Sequence, residues 1–288
     1  MSMQRVPTAG RWAIYIALAV VFAIACAFLA DWQFTRNEER AAQLDLVARN
    51  YDQSPVPLST LIAGTSDFDA DDEWRPVALQ GRYLADEEVL VRNRPRGGTS
   101  AFEVLTPFLL DDGRIVIVDR GWVPPASDSA DPAAVPAAPA GDVIVTARLR
   151  PGEPAPASGR GAPDGQVATI DLPLIAQDTG ATTVTGAYAL MVAEEPTPAT
   201  RPEPIDPPTA DPGPHLSYAI QWILFAVMGF IFIGYVIRTE ITHRREDLAD
   251  AAPDDGAPSP PRPRRDRSGR RRDSDMEDED AILDAASR

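Results

Sequence analysis

Cysteine and histidine are nearly absent from this sequence, and lysine is missing altogether. The 288 residues include one cysteine, Cys26, and two histidines, His215 and His243. A single cysteine excludes a disulfide within the chain and leaves no thiolate cluster for a metal. Copper delivery also requires clustered cysteine, methionine or histidine ligands, so these counts argue against a copper chaperone.

Two long apolar runs stand out against these absences. Residues 12–30 and 218–237 carry no charge, and Gln221 is the only strongly polar side chain in the second run. A bilayer core of about 30 Å is crossed by about 20 apolar residues in a helix. The first run is longer than the apolar core of a cleaved signal peptide, about 7–15 residues, so we predict two transmembrane helices.

Arginines predict how these helices are oriented. They lie outside both runs, toward the chain ends, at Arg5, Arg11, Arg238, Arg244 and Arg245. Because arginine is enriched on the cytoplasmic side of a membrane, both termini are expected in the cytoplasm, with the plasma membrane as the location. Residues 1–11 and 238–288 would then be cytoplasmic, and residues 31–217 would form the extracytoplasmic domain.

Acidic residues outnumber basic ones, and the net charge is −16. This balance argues against nucleic acid as a partner. Residues 246–288 mix both signs of charge and are predicted to be disordered; their arginine run, residues 261–272, either contacts anionic membrane lipid or is simply solvated. Proline and alanine dominate residues 124–140 and 196–214, which are predicted to be extended spacers.

The region between the apolar runs carries mainly β-strand signals. Residues 36–49 have the spacing of an amphipathic helix, and residues 171–180 that of a short helix with an aspartate cap and a glycine stop. Seven segments are predicted as strands: residues 75–83, 89–93, 102–110, 114–119, 143–149, 167–170 and 188–192. We therefore predict a membrane protein in which two transmembrane helices flank a mainly antiparallel β domain, a sandwich or partial barrel, α+β overall.

Recognisable catalytic motifs are missing. The sequence has no nucleophile elbow, no His-Glu-x-x-His pair and no glycine-rich phosphate loop. In the predicted outer domain, a Ser-His-Asp arrangement would have to use His215, at the membrane edge. We therefore predict that the protein is not an enzyme, and an envelope hydrolase is the disfavoured reading.

His215 is the residue with the most suggestive surroundings. Pro214 is expected to open the second helix, and a helical period places Tyr218 and Trp222 on the same face as His215. An imidazole at this level can ligate a haem iron. The alternative is a polar residue in an ordinary aromatic belt.

Small residues predict how the two spans pack. Close packing is expected through Ala19, Ala23 and Ala27 against Ala226 and Gly229. Trp32 and Gln33 end the first span at the level where the second begins. Such packing would bring Trp32 near His215.

Several short motifs, in a fixed order between the spans, resemble the surfeit-locus family, which assists assembly of cytochrome c oxidase. The resemblance runs from Arg11 to about Ala226. The matching residues are Trp32, Gln33, Arg36, Arg40, Gly81-Arg82-Tyr83, Asn93-Arg94, Thr106-Pro107, Asp112-Gly113, Arg120 to Pro124, His215-Leu216, Tyr218-Ala219 and Gln221-Trp222. Two departures are Ala30, where the family usually has glycine, and the lack of a tryptophan before Asp171.

The resemblance implies an assembly factor for a haem-copper cytochrome c oxidase that aids haem a insertion into the catalytic subunit. Its partners would be that subunit and the haem a supply machinery. His215 becomes the candidate axial ligand of haem a, with Trp32, Tyr218 and Trp222 beside it. A cofactor-free scaffold for an oxidase subunit is the alternative function.

Two further residues gain a role from the resemblance. Arg94 and Arg120 become candidates for pairing with haem propionates or with the oxidase subunit. The alternative for both is ion pairing within the acidic domain. Gly121 and Trp122 are expected to shape a turn and a core.

Overall fold

The computed structural model describes residues 8–96, 98–127, 131–156, 159 and 161–250. The predicted cytoplasmic residues 1–7 and the charged tail from residue 251 lie outside this description. The same holds for residues 128–130 of the first proline-rich stretch.

A long helix stands at each end of the described chain. Helix α1 spans Thr8–Asn50 and helix α4 spans His215–Asp250. Each contains a window long and apolar enough to cross a membrane, with mean hydropathy 2.7 in the first and 2.2 in the second. No part of the second window is buried inside the protein, as expected for a helix that faces lipid. The predicted pair of apolar helices is therefore present.

Helix α1 does not end where its apolar run ends. Its 43 residues extend for about 65 Å at 1.5 Å per residue, more than twice the thickness of a bilayer core. The amphipathic helix predicted at residues 36–49 is thus the continuation of the span. Helix α4 likewise continues past residue 237 to Asp250, through residues 246–250 that were predicted to be disordered.

The chain divides into two compact units, one made of residues up to 16 and from 230, the other of residues 17–229. In the first unit, Glu240 joins the two helices. Its carboxylate accepts a hydrogen bond of 2.9 Å from the indole Nε1 of Trp12 and lies 3.4 Å from the guanidinium of Arg11.

Between the helices, the second unit contains one mixed sheet and two short helices. Its strands are β1 Val56–Pro57, β2 Pro76–Tyr83, β3 Val89–Arg96, β4 Thr99–Leu110, β5 Ile115–Val123, β6 Val143–Pro151, β7 Gln166–Val167 and β8 Ala187–Glu195. Helix α2 spans Leu58–Leu61, and α3 spans Leu172–Thr179 between the predicted Asp171 cap and Gly180. The domain is α+β, as predicted.

Five strands close into a barrel. The order is β2-β6-β8-β5-β4, and β4 pairs again with β2 through Gly81↔Leu110 to Tyr83↔Phe108. Four of these five pairings are antiparallel and β5–β8 is parallel. Of the two predicted architectures, the barrel is therefore the right one and the sandwich is wrong.

Gly81 allows this closure. A Cβ at this position would lie 2.0 Å from the carbonyl oxygen of Leu109 on the closing strand. Only glycine permits two backbones to approach so closely.

Apolar side chains fill the barrel from alternate positions of its strands, as strand geometry requires. The interior includes Val77, Leu79, Phe108, Val116, Val118, Val143, Val145, Ala147, Leu149 and Ala189, with Leu58 and Ile62 packed against them. A second apolar cluster joins α3 to strands β3, β4, β5 and β8 through Val91, Leu105, Ile117, Leu172, Ile175 and Tyr188.

Helix α1 is attached to the barrel at its last residue. The Asn50 amide donates hydrogen bonds of 2.6 and 2.8 Å to the carbonyl oxygens of Asp71 and Glu73. The guanidinium of Arg148 lies 3.5 Å from the ring centroid of Tyr51, and its Nε donates to the Tyr51 carbonyl oxygen. Paired donors and a cation–π contact thus connect the outer end of the helix to the sheet.

The proline-rich stretches are not free spacers. Val135 and Ala138 of the first stretch pack against apolar clusters of the barrel. In the second, Glu203 exchanges two backbone hydrogen bonds with Trp122. Gly121 and Trp122, predicted to shape a turn, lie within β5 instead.

Candidate functional site

The imidazole of His215 is held by a glutamine of the other long helix. His215 is the first residue of α4, and its Nδ1 lies 2.9 Å from Oε1 of Gln33. An amide oxygen only accepts, so Nδ1 donates, and in a neutral imidazole Nε2 then carries the lone pair. Histidines that ligate a metal through one ring nitrogen typically donate a hydrogen bond from the other, which fixes the tautomer.

The side of the ring that carries Nε2 is bordered by a glycine. A Cβ at Gly213 would lie 3.8 Å from Nε2 and 3.5 Å from Cδ2, so a longer side chain there would crowd the nitrogen. Gly213 has φ +74°, and its N–H donates a 2.8 Å hydrogen bond to Oδ1 of Asp211. Gly213 therefore borders Nε2 at ordinary van der Waals distance, and no hydrogen bond among the described residues occupies this nitrogen.

A single imidazole limits what the site can hold. Among the described residues, no group of three or more His, Cys, Asp or Glu side chains is arranged to bind a metal ion. One histidine suits an iron that a porphyrin already carries better than a bare ion. The donor set at His215 is thus compatible with haem.

The predicted aromatic residues lie around the start of α4. Tyr218 is 48% exposed and Trp32 is 51% exposed, whereas Trp222 is half-buried with its ring centroid 5.7 Å from that of Phe225. Ala219, one turn from His215, is completely buried. No contact described in the structure joins Trp32 to His215; the neighbouring Gln33 makes that connection.

Small residues do line the facing sides of the two spans, although not all of the predicted ones. Ala19 is buried, and so are Cys26 and Ala30, whereas Ala27 is exposed. On α4, a Cβ at Gly229 would lie 3.1 Å from the ring of Phe22.

Arg94 lies in β3 and is already neutralised by two carboxylates. Its guanidinium is 2.8 Å from Glu103 and 2.8 Å from Glu153. These side chains border a cavity of about 270 Å³ that Asp119 and Tyr188 also line. Burial, and then the charge of Glu103, raise the pKa of Asp119 well above its usual range.

Arg120 is enclosed within the barrel, with its side chain completely buried. It lies 3.3 Å from the carboxylate of Glu194 and donates to the carbonyl oxygens of Pro136 and Ala137. The Tyr83 hydroxyl donates to the same glutamate at 2.9 Å, and burial raises the pKa of that hydroxyl. Both Arg94 and Arg120 thus make internal ion pairs, and their pairing with an external carboxylate stays a prediction.

Arg40 is a site residue to which the sequence assigned no role. Its Nε donates to the carbonyl oxygen of Asp211, and its Nη2 donates to the carbonyl and hydroxyl oxygens of Thr209, all at 3.0–3.2 Å. These bonds hold the segment that precedes His215 against α1. The Trp-Gln-x-x-Arg-x-x-x-Arg spacing was visible in the sequence, but no pattern there shows which backbone the last arginine meets.

The sequence of this chain is similar to those of known proteins. A family model described as the SURF1 family matches residues 20–227. An uncharacterised SURF1-like protein of Mycobacterium tuberculosis is 37% identical over 265 residues, which cover 91% of this chain and 96% of that protein. The cytochrome oxidase assembly protein SHY1 of Saccharomyces cerevisiae is 32% identical over 111 residues, 38% of this chain and 28% of that protein.

The matched residues include both Gln33 and His215, as well as the whole barrel. The match also reaches into both apolar helices, from residue 20 in the first to residue 227 in the second. Because the model covers well over half of the chain, the resemblance seen in the short motifs is confirmed: the chain belongs to the SURF1 family.

Proposed function

We propose that this protein assists assembly of a haem-copper cytochrome c oxidase by holding haem a at His215 for insertion into the catalytic subunit. The yeast relative is named as a cytochrome oxidase assembly protein. The observation that carries the haem assignment is the bond between Nδ1 of His215 and Gln33, which leaves Nε2 available beside a glycine. The oxidase subunit and the machinery that supplies haem a are the partners this proposal requires.

The residues of this chain divide the task between them. His215 would hold haem a through its imidazole, and the haem would supply the iron to which that imidazole binds. Gln33 would keep the imidazole in one orientation and, in its neutral form, in one tautomer. Trp32, Tyr218 and Trp222 offer aromatic surface beside it, at the outer membrane interface where the arginine distribution places this end of the helices.

The same hydrogen bond also favours a second candidate. In a cofactor-free scaffold, Gln33 and His215 would simply join the two helices through one partly buried polar contact. The two candidates differ in whether Nε2 of His215 has a partner of its own.

The full chain, purified in detergent from cells that make haem a, tests this difference. We expect it to carry haem with the spectrum of an imidazole-ligated iron, and we expect His215→Ala to lose it. His243→Ala is the matched control, because His243 is exposed near the other end of the same helix and faces Glu246. Absence of haem from the wild type, or equal haem in His215→Ala, contradicts the ligand assignment.

Deletion of the gene tests the assembly role separately. We expect the membranes to contain less oxidase haem a. An unchanged content refutes the assembly role itself.

A further inference from the structure

Arg40 is a cation whose hydrogen-bond partners are all uncharged. Two oxygens of Thr209 and the carbonyl oxygen of Asp211 occupy its Nε and Nη2. The Asp211 carboxylate turns instead to the N–H of Gly213. Among the described residues, no carboxylate lies within 4.0 Å of Arg40, in contrast to the ion-paired Arg94 and Arg120.

These bonds fix the guanidinium while leaving part of it unused. The two N–H groups of Nη1 have no acceptor in the part of the chain that the structure describes. A guanidinium that hydrogen bonds already hold in one orientation loses little conformational entropy when it binds an anion. A carboxylate is the group that this planar pair of donors fits best.

The position of Arg40 relates it to His215. Arg40 follows Gln33 by seven residues, so the two lie on nearly the same face of α1 and about 10 Å apart along its axis. Gln33 contacts the imidazole, and Arg40 borders a cavity of about 250 Å³ whose walls include Leu44, Val47 and Trp74. Glu73 and Arg150 also line this cavity, but they pair with each other at 3.0 Å, so Arg40 is left as the unpaired cation beside the apolar part of the wall.

We propose that Arg40 recognises a carboxylate of the haem whose iron His215 binds. This inference rests on the proposed function and adds the residue that would select for the charged edge of the porphyrin. Arg40 takes the role that the sequence suggested for Arg94 and Arg120, because its charge is not neutralised within the domain.

Haem a and its dimethyl ester, titrated into the detergent-purified full chain, test the proposal. The ester keeps the iron and the ring but lacks both carboxylate charges. We expect the wild type to bind haem a roughly tenfold more tightly than the ester, the effect of one charge-assisted contact. Arg40→Gln should bind both forms with the lower affinity and an unchanged iron spectrum, and Arg40→Lys should keep part of the preference.

Arg49→Gln is the matched control, because Arg49 is an exposed arginine of the same helix that pairs with Asp45. It should keep the full preference. Equal binding of haem a and the ester by the wild type, or an undiminished preference in Arg40→Gln, overturns the role of Arg40 and leaves His215 untouched.

Failure of the proposed function gives a different result from failure of the Arg40 assignment. The wild type would then bind neither haem a nor the ester through His215, and this inference would be wrong as well. A lipid phosphate is the other source of an anion at the membrane interface. Loss of binding to phosphatidylglycerol vesicles in Arg40→Gln, with the haem preference intact, would assign Arg40 to lipid and overturn the haem carboxylate.

Discussion

Residues of the family motifs meet at the polar end of the barrel, although they are far apart in sequence. Tyr83 of the Gly-x-Tyr motif and Arg120 of the Arg-Gly-Trp motif converge on Glu194, and the guanidinium lies 5.3 Å from the tyrosine ring centroid. A buried charge pair of this kind costs about 3–5 kcal/mol when one partner is removed. These two motif residues, Tyr83 and Arg120, therefore maintain the fold.

Asp119 gives the fold a measurable dependence on pH. An unfolded aspartate ionises near pH 4, whereas burial and Glu103 raise the pKa of folded Asp119. The folded state thus binds more protons, and the stability from this group is lost as the pH rises through its folded pKa. We expect Asp119→Asn, which cannot ionise, to become progressively more stable relative to the wild type as the pH rises above about 4, measured by urea unfolding.

Asp112 is a control because its contribution to stability should depend on pH in the opposite direction. Its hydrogen bond with Arg114 lowers the pKa of the carboxyl, so its contribution is present at neutral pH and is lost on acidification. Asp112→Asn should therefore lose stability relative to the wild type as the pH rises from 3 to 6. A pH-independent difference between Asp119→Asn and the wild type would contradict the raised pKa of Asp119.

At the level of elements, local patterns predicted the strands well. Strand β6, with its alternating Val143, Val145 and Ala147, begins where the pattern predicts, and α3 lies between the predicted aspartate cap and glycine stop. The parallel β5–β8 pairing and the closure of β2 on β4 were not predictable, because they join segments far apart in sequence. Within the site, helical period indicated His215, but the contact with Gln33 depends on how two helices pack.

The proline-rich stretches were misinterpreted for a related reason. Their composition indicates an extended chain, and extended chain can still pack against a sheet. Arg120 donates to the carbonyl oxygens of Pro136 and Ala137, which places the first stretch over the barrel end. Composition describes the conformation of such a segment and not its partners.

Gly121 determines whether the second stretch can cross β5. A Cβ there would lie 2.2 Å from the carbonyl oxygen of Glu203, and the residue has φ +122°. We expect Gly121→Ala to lower the free energy of unfolding by about 2–4 kcal/mol, through steric overlap added to backbone strain. Denaturant unfolding of the purified protein measures this loss.

Gly113→Ala separates the two causes. Gly113 also has a positive φ, +86°, but a Cβ there would meet nothing within 4 Å. Only strain remains, so a loss of about 1 kcal/mol is expected. Equal losses in the two variants would show that the crossing at Glu203 is unimportant.

The whole molecule joins a barrel to two helices that can each cross a membrane, and its orientation is open to direct measurement. Ser54 and Thr242 are exposed residues near the outer end of α1 and near the end of α4. In a Cys26→Ala background, we expect Ser54→Cys to react with a membrane-impermeant maleimide in intact cells. Thr242→Cys should react only after the membrane is opened, because the arginine distribution places it inside.

Reaction of both cysteines in intact cells, or of Thr242→Cys alone, would contradict this orientation. Cys26 is the one native cysteine, so its replacement by alanine leaves the introduced cysteine as the single thiol that the maleimide can label.

The unbroken course of α1 from its apolar run to Asn50 has a geometrical consequence. In an uninterrupted helix, each residue adds about 100° of rotation and about 1.5 Å of length. One residue inserted between Gln33 and Arg40 would swing the barrel around the helix axis by more than a quarter turn relative to the imidazole. The number of residues between Gln33 and Arg40 therefore sets the angle at which the barrel is attached around the axis of α1. The length of this segment constrains the protein as much as any of its side chains.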